Sequence, residues 1–185
     1  AKIEAGKMEL EISDVSLEEL FNNLENILRP QAVSKNLSFK IKLPSTLTPV
    51  ILYSNYQRLV QIMFNLVGNA IKFTQEGGIY IGAEIIEKPI QYRSRTLPGI
   101  VKISVADTGI GVPLDKQKLL FQNFFQVDGS RTKTYGGTGL GLAISQKLIE
   151  TMGGKISFYS MGEGLGSTVT FSVPLHHLPV MKTSD

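Results

Sequence analysis

Asn65, Asn69 and Lys72 stand at i, i+4 and i+7 of a segment in which Leu59, Ile62, Met63, Leu66, Val67 and Ala70 recur at helical spacing. The three polar side chains therefore share one helix face beside the apolar stripe, and Arg58 and Gln61 extend the row. A solvated surface gives the same pattern, because polar residues must occupy the face turned away from a core. Chemical type favours a ligand: exposed helix faces usually carry Glu, Lys and Arg, whereas carboxamides are poor helix formers. An Asn oxygen is a neutral ligand for Mg²⁺, and Lys72 is a point charge for phosphate.

Asp107-Thr108-Gly109-Ile110-Gly111 follows the apolar run IVKISVA and precedes Val112-Pro113. A carboxylate at a strand end followed by two glycines fits a turn in which backbone approaches a ligand and the acid accepts hydrogen bonds, an adenine amine being one such donor. An ordinary turn explains the same pentapeptide equally well. Gly136 to Ala143, GGTGLGLA, leads straight into a helical pattern, so exposed N–H groups at a helix N-terminus can hold phosphate oxygens. It is neither a Walker loop, since no Gly-Lys-Ser/Thr follows, nor a Rossmann fingerprint, since a polar loop rather than a strand precedes it. Gly162, Gly164 and Gly166, before Ser167-Thr168, read alone as a hairpin turn.

These residues need elements to position them. Ser16 with Glu19 resembles a capping box, and Leu17, Leu20, Phe21, Leu24, Ile27 and Leu28 predict a helix to about Asn36, interrupted by Pro30. Leu37, Phe39, Ile41 and Leu43 alternate as a strand, and a short strand is expected around Val50 to Leu52. The helix from Asn55 ends at Gly77-Gly78. Strands over Gly78–Glu87 and Gly99–Ala106 follow, joined by EKPIQYRSRTLP, which has Pro at each end and reads as a surface excursion. Pro113 opens a short helix through Phe121; a Gly, Ser and Thr loop, a helix over about Leu140–Met152 and two strands, around Ile156–Phe158 and Val169–Val173, complete the pattern. Consecutive strand pairs predict hairpins, hence an α+β, two-layer sandwich with a mixed sheet of about five strands and helices on one face.

The 185 residues are 42% apolar, enough for one core, and contain no cysteine, which excludes disulfides and thiolate chemistry. Nineteen basic and 16 acidic residues give a net charge of +3, and the basic ones are scattered rather than gathered into the stripe that nucleic acid needs. No stretch approaches the roughly 20 apolar residues of a membrane span, and the N-terminus has no signal-peptide h-region. A soluble, cytoplasmic segment is expected, from a parent that is membrane-anchored or not.

Taken in order, the motifs resemble the N, G1, F, G2 and G3 boxes of the histidine-kinase catalytic domain, of the ATPase superfamily shared with type II topoisomerases, Hsp90 and MutL (the Bergerat ATP-binding fold). NLVGNAIKFT at Asn65–Thr74 is similar to the N box, DTGIGV to the G1 box, LFQNFFQVD at Leu120–Asp128 to the F box, GGTGLGLAI to the G2 box and GLGSTVTF to the G3 box. KFT, FFQVD and TGLGLAISQKLIE are most similar to sensor kinases of the hybrid kind. The resemblance implies a lead-in from dimerisation helices over residues 1–15, an ATP-binding domain over 16–175 with a lid at 112–138, and a linker at 176–185. It implies ATP and Mg²⁺ as cofactors, with Asn65, Asn69 and Lys72 as the catalytic group and Asn69 as the metal ligand. Phe73 would lie against adenine and Asp107 would accept from its amine, with Gly109, Ile110 and Gly111 close by. Gly137, Thr138, Gly139, Leu140, Gly141 and Leu142 would meet the phosphates, and Thr168 would support the adenine end. Phe121, Phe124 and Phe125 would dock the lid on the core. The lid role that an arginine fills in many relatives, reaching the γ-phosphate, would be sought among Gln126, Arg131 and Lys133. Where relatives often have Asp-Pro before the N-box helix, this chain has Asn55-Tyr56, which still supplies a cap.

The family's phosphoacceptor histidine has no counterpart here. His176 and His177, the chain's two histidines, sit among Leu, Pro and Val and read as linker residues rather than acceptors or metal ligands. The resemblance therefore implies γ-phosphate transfer to a histidine on a separate dimerisation domain, and onward to a response-regulator receiver domain. The isolated domain would be a monomer and the parent a homodimer. Three alternatives stand beside this reading: a degenerate kinase that only binds nucleotide, a serine kinase of the anti-sigma type, and a hydrolytic ATPase. The last would need a glutamate in the N-box helix, and none lies between Asn55 and Gln75.

Overall fold

The computed structural model describes residues 3–4, 7–8, 10–111, 113–119 and 142–182, with the backbone alone at 3, 4, 7, 8, 118 and 119. A small hairpin, β1 (Ile3–Glu4) and β2 (Lys7–Met8), precedes β3 (Ser13–Ser16) and the first helix, α1 (Leu17–Ser34). Ser16 caps α1 by accepting from the Glu19 N–H at 3.2 Å, as its position before the apolar stripe predicts. Pro30 lies inside α1 without splitting it, and Ile27, placed in the apolar stripe by periodicity, is half exposed. Leu17, Leu20, Phe21, Leu24, Leu28 and Ala32 are buried.

After β4 (Ser38–Lys42) and β5 (Ile51–Ser54) comes α2 (Tyr56–Phe73), capped by Asn55, whose side chain accepts from the Arg58 N–H at 3.0 Å. The remaining elements are β6 (Gly78–Ile86), the hairpin β7 (Ile90–Tyr92) and β8 (Arg95–Leu97), β9 (Gly99–Asp107), a 3₁₀ turn at Leu114–Leu119, α3 (Leu142–Thr151), β10 (Ile156–Tyr159) and β11 (Ser167–Leu175). The main sheet has seven strands in the order β3-β5-β11-β9-β6-β4, with β10 also paired to β11. Only β4 with β6 runs parallel among the pairs of this sheet.

Along β9, Val101, Ile103 and Val105 are buried while Lys102 between them is exposed, so one sheet face meets the helices and the other meets solvent. The core lies between that inner face and the helices, with Leu20 and Phe21 of α1, Leu59, Ile62 and Met63 of α2, and Ile79, Ile103 and Phe171 of the sheet fully enclosed. This is the expected α+β arrangement with two differences. Beyond the five or so strands expected, β3 joins the sheet from residues that read as lead-in: its single buried apolar residue, Val15, is too little to give periodicity. Residues 87–98 form a second hairpin rather than an irregular excursion. Leu97 is buried there, and the Tyr92 hydroxyl donates to the Thr151 carbonyl at 2.7 Å, tying the hairpin to α3.

Candidate functional site

The C-terminal turns of α2, the end of β9, the start of α3 and β10–β11 line one cleft. Leu66, Ala70, Val105, Phe158 and Val169 give it apolar walls. Asn69, Phe73, Asp107, Ile110, Gly111 and Leu142, all singled out in the sequence, line it together. Asn69 and Phe73 are one helical turn apart, and both side chains are buried.

Asn65, one turn earlier, is held between helices: its amide donates to the Ser145 hydroxyl of α3 at 3.1 Å, and its oxygen accepts from Asn69 Nδ2 at 3.5 Å. In that contact Asn69 is the donor and Asn65 the acceptor. Lys72 is half-buried outside the cleft lining, with its ammonium 5.7 Å over the Phe73 ring. A second lysine missed in the sequence, Lys35, donates to the Ile71 carbonyl at 2.7 Å, placing a cation on the C-terminal carbonyls of α2.

At the other end of the cleft, Asp107 closes β9. One carboxylate oxygen accepts from the Gly109 N–H at 2.8 Å and the other from the Ser167 hydroxyl at 2.9 Å. Burial pushes the Asp107 carboxyl above its ordinary value, while these two contacts pull it down less strongly. The result is a fixed, desolvated acceptor at the edge of an apolar slot, suited to an N–H donor on a flat ring.

The glycines of the turn have a reason that the sequence did not reveal. A Cβ on Gly109 would lie 2.5 Å from the Phe73 carbonyl, and one on Gly111, whose φ is +67°, would lie 2.2 Å from the Gly162 carbonyl. The close approach is therefore to the protein's own backbone. Ile110 N–H donates to the Phe73 carbonyl at 3.2 Å, and the N–H groups of Gly164 and Gly166 donate to the Ile110 and Gly109 carbonyls at 2.6 and 3.1 Å. The end of α2, the Asp107 turn and the loop before β11 are thus laced into one unit.

That lacing corrects Thr168. Ser167 pairs with Asp107 and Thr168 with Ala106, and successive strand residues point to opposite faces. Ser167 and Val169 line the cleft, so Thr168 faces away from it and Ser167 supports Asp107. Two hydroxyl residues side by side gave the sequence no means of choosing between them. Beside Gly109, the Thr74 hydroxyl is buried with no hydrogen-bond partner among the described residues.

Lys133, Gly137, Thr138, Gly139, Leu140 and Gly141 lie outside the described residues, as do Phe121, Phe124, Phe125, Gln126 and Arg131. Of the lid expected at 112–138, the 3₁₀ turn is described, and Gln117 Nε2 there donates to the Ser160 carbonyl at 2.9 Å.

The profile of the family described as "Histidine kinase-, DNA gyrase B-, and HSP90-like ATPase" matches residues 54–177, the stretch that builds this cleft. The chain belongs to that ATPase family. Within it, the similarity is to histidine kinases. The chain is 38% identical over 177 residues to Hybrid signal transduction histidine kinase K of Dictyostelium discoideum, covering 95% of this chain and 14% of that protein. It is 41% identical over 175 residues to Sensor protein GacS of Pseudomonas syringae pv. syringae, covering 94% and 18%. The chain thus spans less than a fifth of the length of these relatives. Among solved structures, full-length ShkA in complex with AMPPNP matches with a TM-score of 0.74 and 32% identity, covering 94% of this chain and 33% of that one. The catalytic domain of histidine kinase ThkA matches at 0.69 and 27%, covering 89% of this chain and 98% of that domain. The ATPase-family chain is therefore a catalytic domain of the histidine-kinase type. No helix among its described residues is long and apolar enough to cross a membrane.

Proposed function

We propose that this domain binds Mg²⁺-ATP in the cleft and transfers the γ-phosphoryl group to a histidine of a separate dimerisation domain. The observation that carries the reading is the joint placement of Asp107, Asn69 and Leu142 around one apolar slot. Asp107 accepts from the adenine amine, Phe73 and Ile110 flank the ring, and Ser167 holds the carboxylate in place. Leu142, the first described residue of α3, lines the cleft, and amides at the start of that helix would favour phosphate there.

Asn69, with Asn65 behind it, offers a neutral oxygen of the kind that completes a Mg²⁺ shell made mostly of water and phosphate. Mg²⁺ would supply charge neutralisation on the phosphates; Lys72, outside the cleft lining with its ammonium over Phe73, would have to swing from that ring to add a second positive charge. An imidazole nitrogen attacks phosphorus in line as the bond to the β-phosphate oxygen breaks, ADP leaves, and the imidazole gives up its proton. The protein's contribution is positioning and electrostatics. No glutamate lies between Asn55 and Gln75 to activate water, which favours transfer over hydrolysis. The phosphoryl group passes next to an aspartate of a receiver domain, in a cytoplasmic parent assembly that dimerises through the separate domain.

The test is to incubate the chain with Mg²⁺-ATP and a separately supplied dimerisation domain. Acid-labile, base-stable phosphate on that domain is expected. Tight nucleotide binding without transfer would replace the kinase reading with a nucleotide-binding module, and acid-stable phosphate on serine would replace it with a serine kinase.

A further inference from the structure

Away from the cleft, Asp14 on β3 meets His176 and His177, which follow directly on β11. We propose that these three side chains form a Zn²⁺ site. One ligand atom from each, two imidazole nitrogens and a carboxylate oxygen, lie within 4.8 Å of one another. His176 Nδ1 is in hydrogen-bond contact with the Asp14 carboxylate. The His177 ring stacks on His176 with centroids 4.1 Å apart, and the Tyr53 ring backs His176 at 5.0 Å. The His176 N–H also donates to the Ile51 carbonyl at 3.0 Å, so the backbone carrying the pair is anchored to β5.

Two imidazoles and one carboxylate suit Zn²⁺, with a fourth position for water, and suit Mg²⁺ or Ca²⁺ poorly because those ions prefer oxygen. Bonds of about 2.0–2.2 Å to a tetrahedral ion put ligand atoms roughly 3.4 Å apart, so the Asp14–His176 contact opens to admit the ion while the wider spacing to His177 closes. The Asp14 side chain is 56% exposed and has room to move. Among the described residues, Arg95 opposes the ion: it approaches His176 Nε2 at 3.4 Å, with its guanidinium 5.0 Å over the Tyr53 ring. It can leave Nε2 and keep Tyr53.

The location gives such an ion a purpose. β3 pairs with β5 over four residues, whereas β11 meets β5 at the single pair Leu175↔Leu52. Zn²⁺ would brace that narrow seam from outside, tying the strand that opens the sheet to the segment that leaves it.

The test titrates Zn²⁺ into the whole chain without nucleotide, read by competition with a chromophoric chelator and by thermal unfolding. One saturable site with a rise in Tm is expected. Asp14→Asn and His177→Gln should each weaken it at least about tenfold. His177→Gln changes an exposed side chain, so its unfolding curve without Zn²⁺ should match the parent's. Absence of saturable binding below about 1 mM, or binding that survives His177→Gln unchanged, overturns the site.

Discussion

The two ends of the cleft are built by different means. At the Asp107 end, backbone does the holding: the turn, the end of α2 and the loop before β11 exchange main-chain hydrogen bonds, with no room for a Cβ at Gly109 or Gly111. At the Asn69 end, side chains hold one another across α2 and α3 through Asn65 and Ser145. A site that reads one flat base gains from a rigid end; a site that takes up and releases a metal and its phosphates gains from groups whose loss leaves the fold standing. Substitutions of the laced glycines at the first end should therefore cost stability as well as binding, and those of the side chains at the second should cost binding alone.

The largest effect is expected from Gly111→Ala. Left-handed backbone and a Cβ 2.2 Å from a carbonyl combine to a loss on the order of 2–5 kcal/mol, a large share of a domain's stability, seen as a lowered Tm together with lost nucleotide affinity. A Tm within a degree of the parent's would show the lacing to be slack.

Asp107→Asn separates binding from stability at the same end. Nucleotide affinity should fall at least about tenfold, since an amide has one acceptor oxygen where the carboxylate has two, and its NH₂ would be turned on the Gly109 N–H, the Ser167 hydroxyl or the adenine amine. Stability should not fall. Because burial holds the Asp107 carboxyl above its ordinary 3.8, the folded state binds this proton more tightly than the unfolded chain. Its contribution to stability is present below 3.8 and lost as pH rises through the folded value. Asp107→Asn removes that loss, so the variant should gain on the parent as pH rises from about 4 to 7 in denaturant titrations. A gain in the opposite direction would mean that hydrogen bonds outweigh burial at this carboxyl.

The smallest effect compares neighbours. Ser167→Ala removes a hydrogen bond to Asp107, about 1 kcal/mol or fivefold in nucleotide affinity, whereas Thr168→Ala should change it less than about twofold. Equal losses would return Thr168 to the cleft.

Much of this was legible in the sequence because it is local. Ser16 and Asn55 announce the helix starts they cap, and the stripe from Leu59 to Ala70 fixes which face of α2 carries Asn65 and Asn69. What escaped depends on partners far along the chain. Ser167 matters because register sets it against Asp107, 60 residues earlier, and the glycines of the turn because of carbonyls at Phe73 and Gly162. His176, which among Leu and Pro reads as linker, meets Asp14 across 162 residues. The hairpin at 90–97 was hidden by the prolines flanking it, and its turn puts Arg93 and Ser94 at φ of 50° and 63°, where Gly or Asn is the usual signal.

The most direct test of the cleft's division of labour is adenine-nucleotide titration of Asn69→Ala and Asp107→Asn, each with Mg²⁺ and with chelator. Asn69→Ala should lose about tenfold or more in affinity with Mg²⁺ and almost nothing without it, while Asp107→Asn should lose in both conditions. Equal losses for Asn69→Ala with and without Mg²⁺ would contradict the placement of metal at one end of the cleft and adenine at the other.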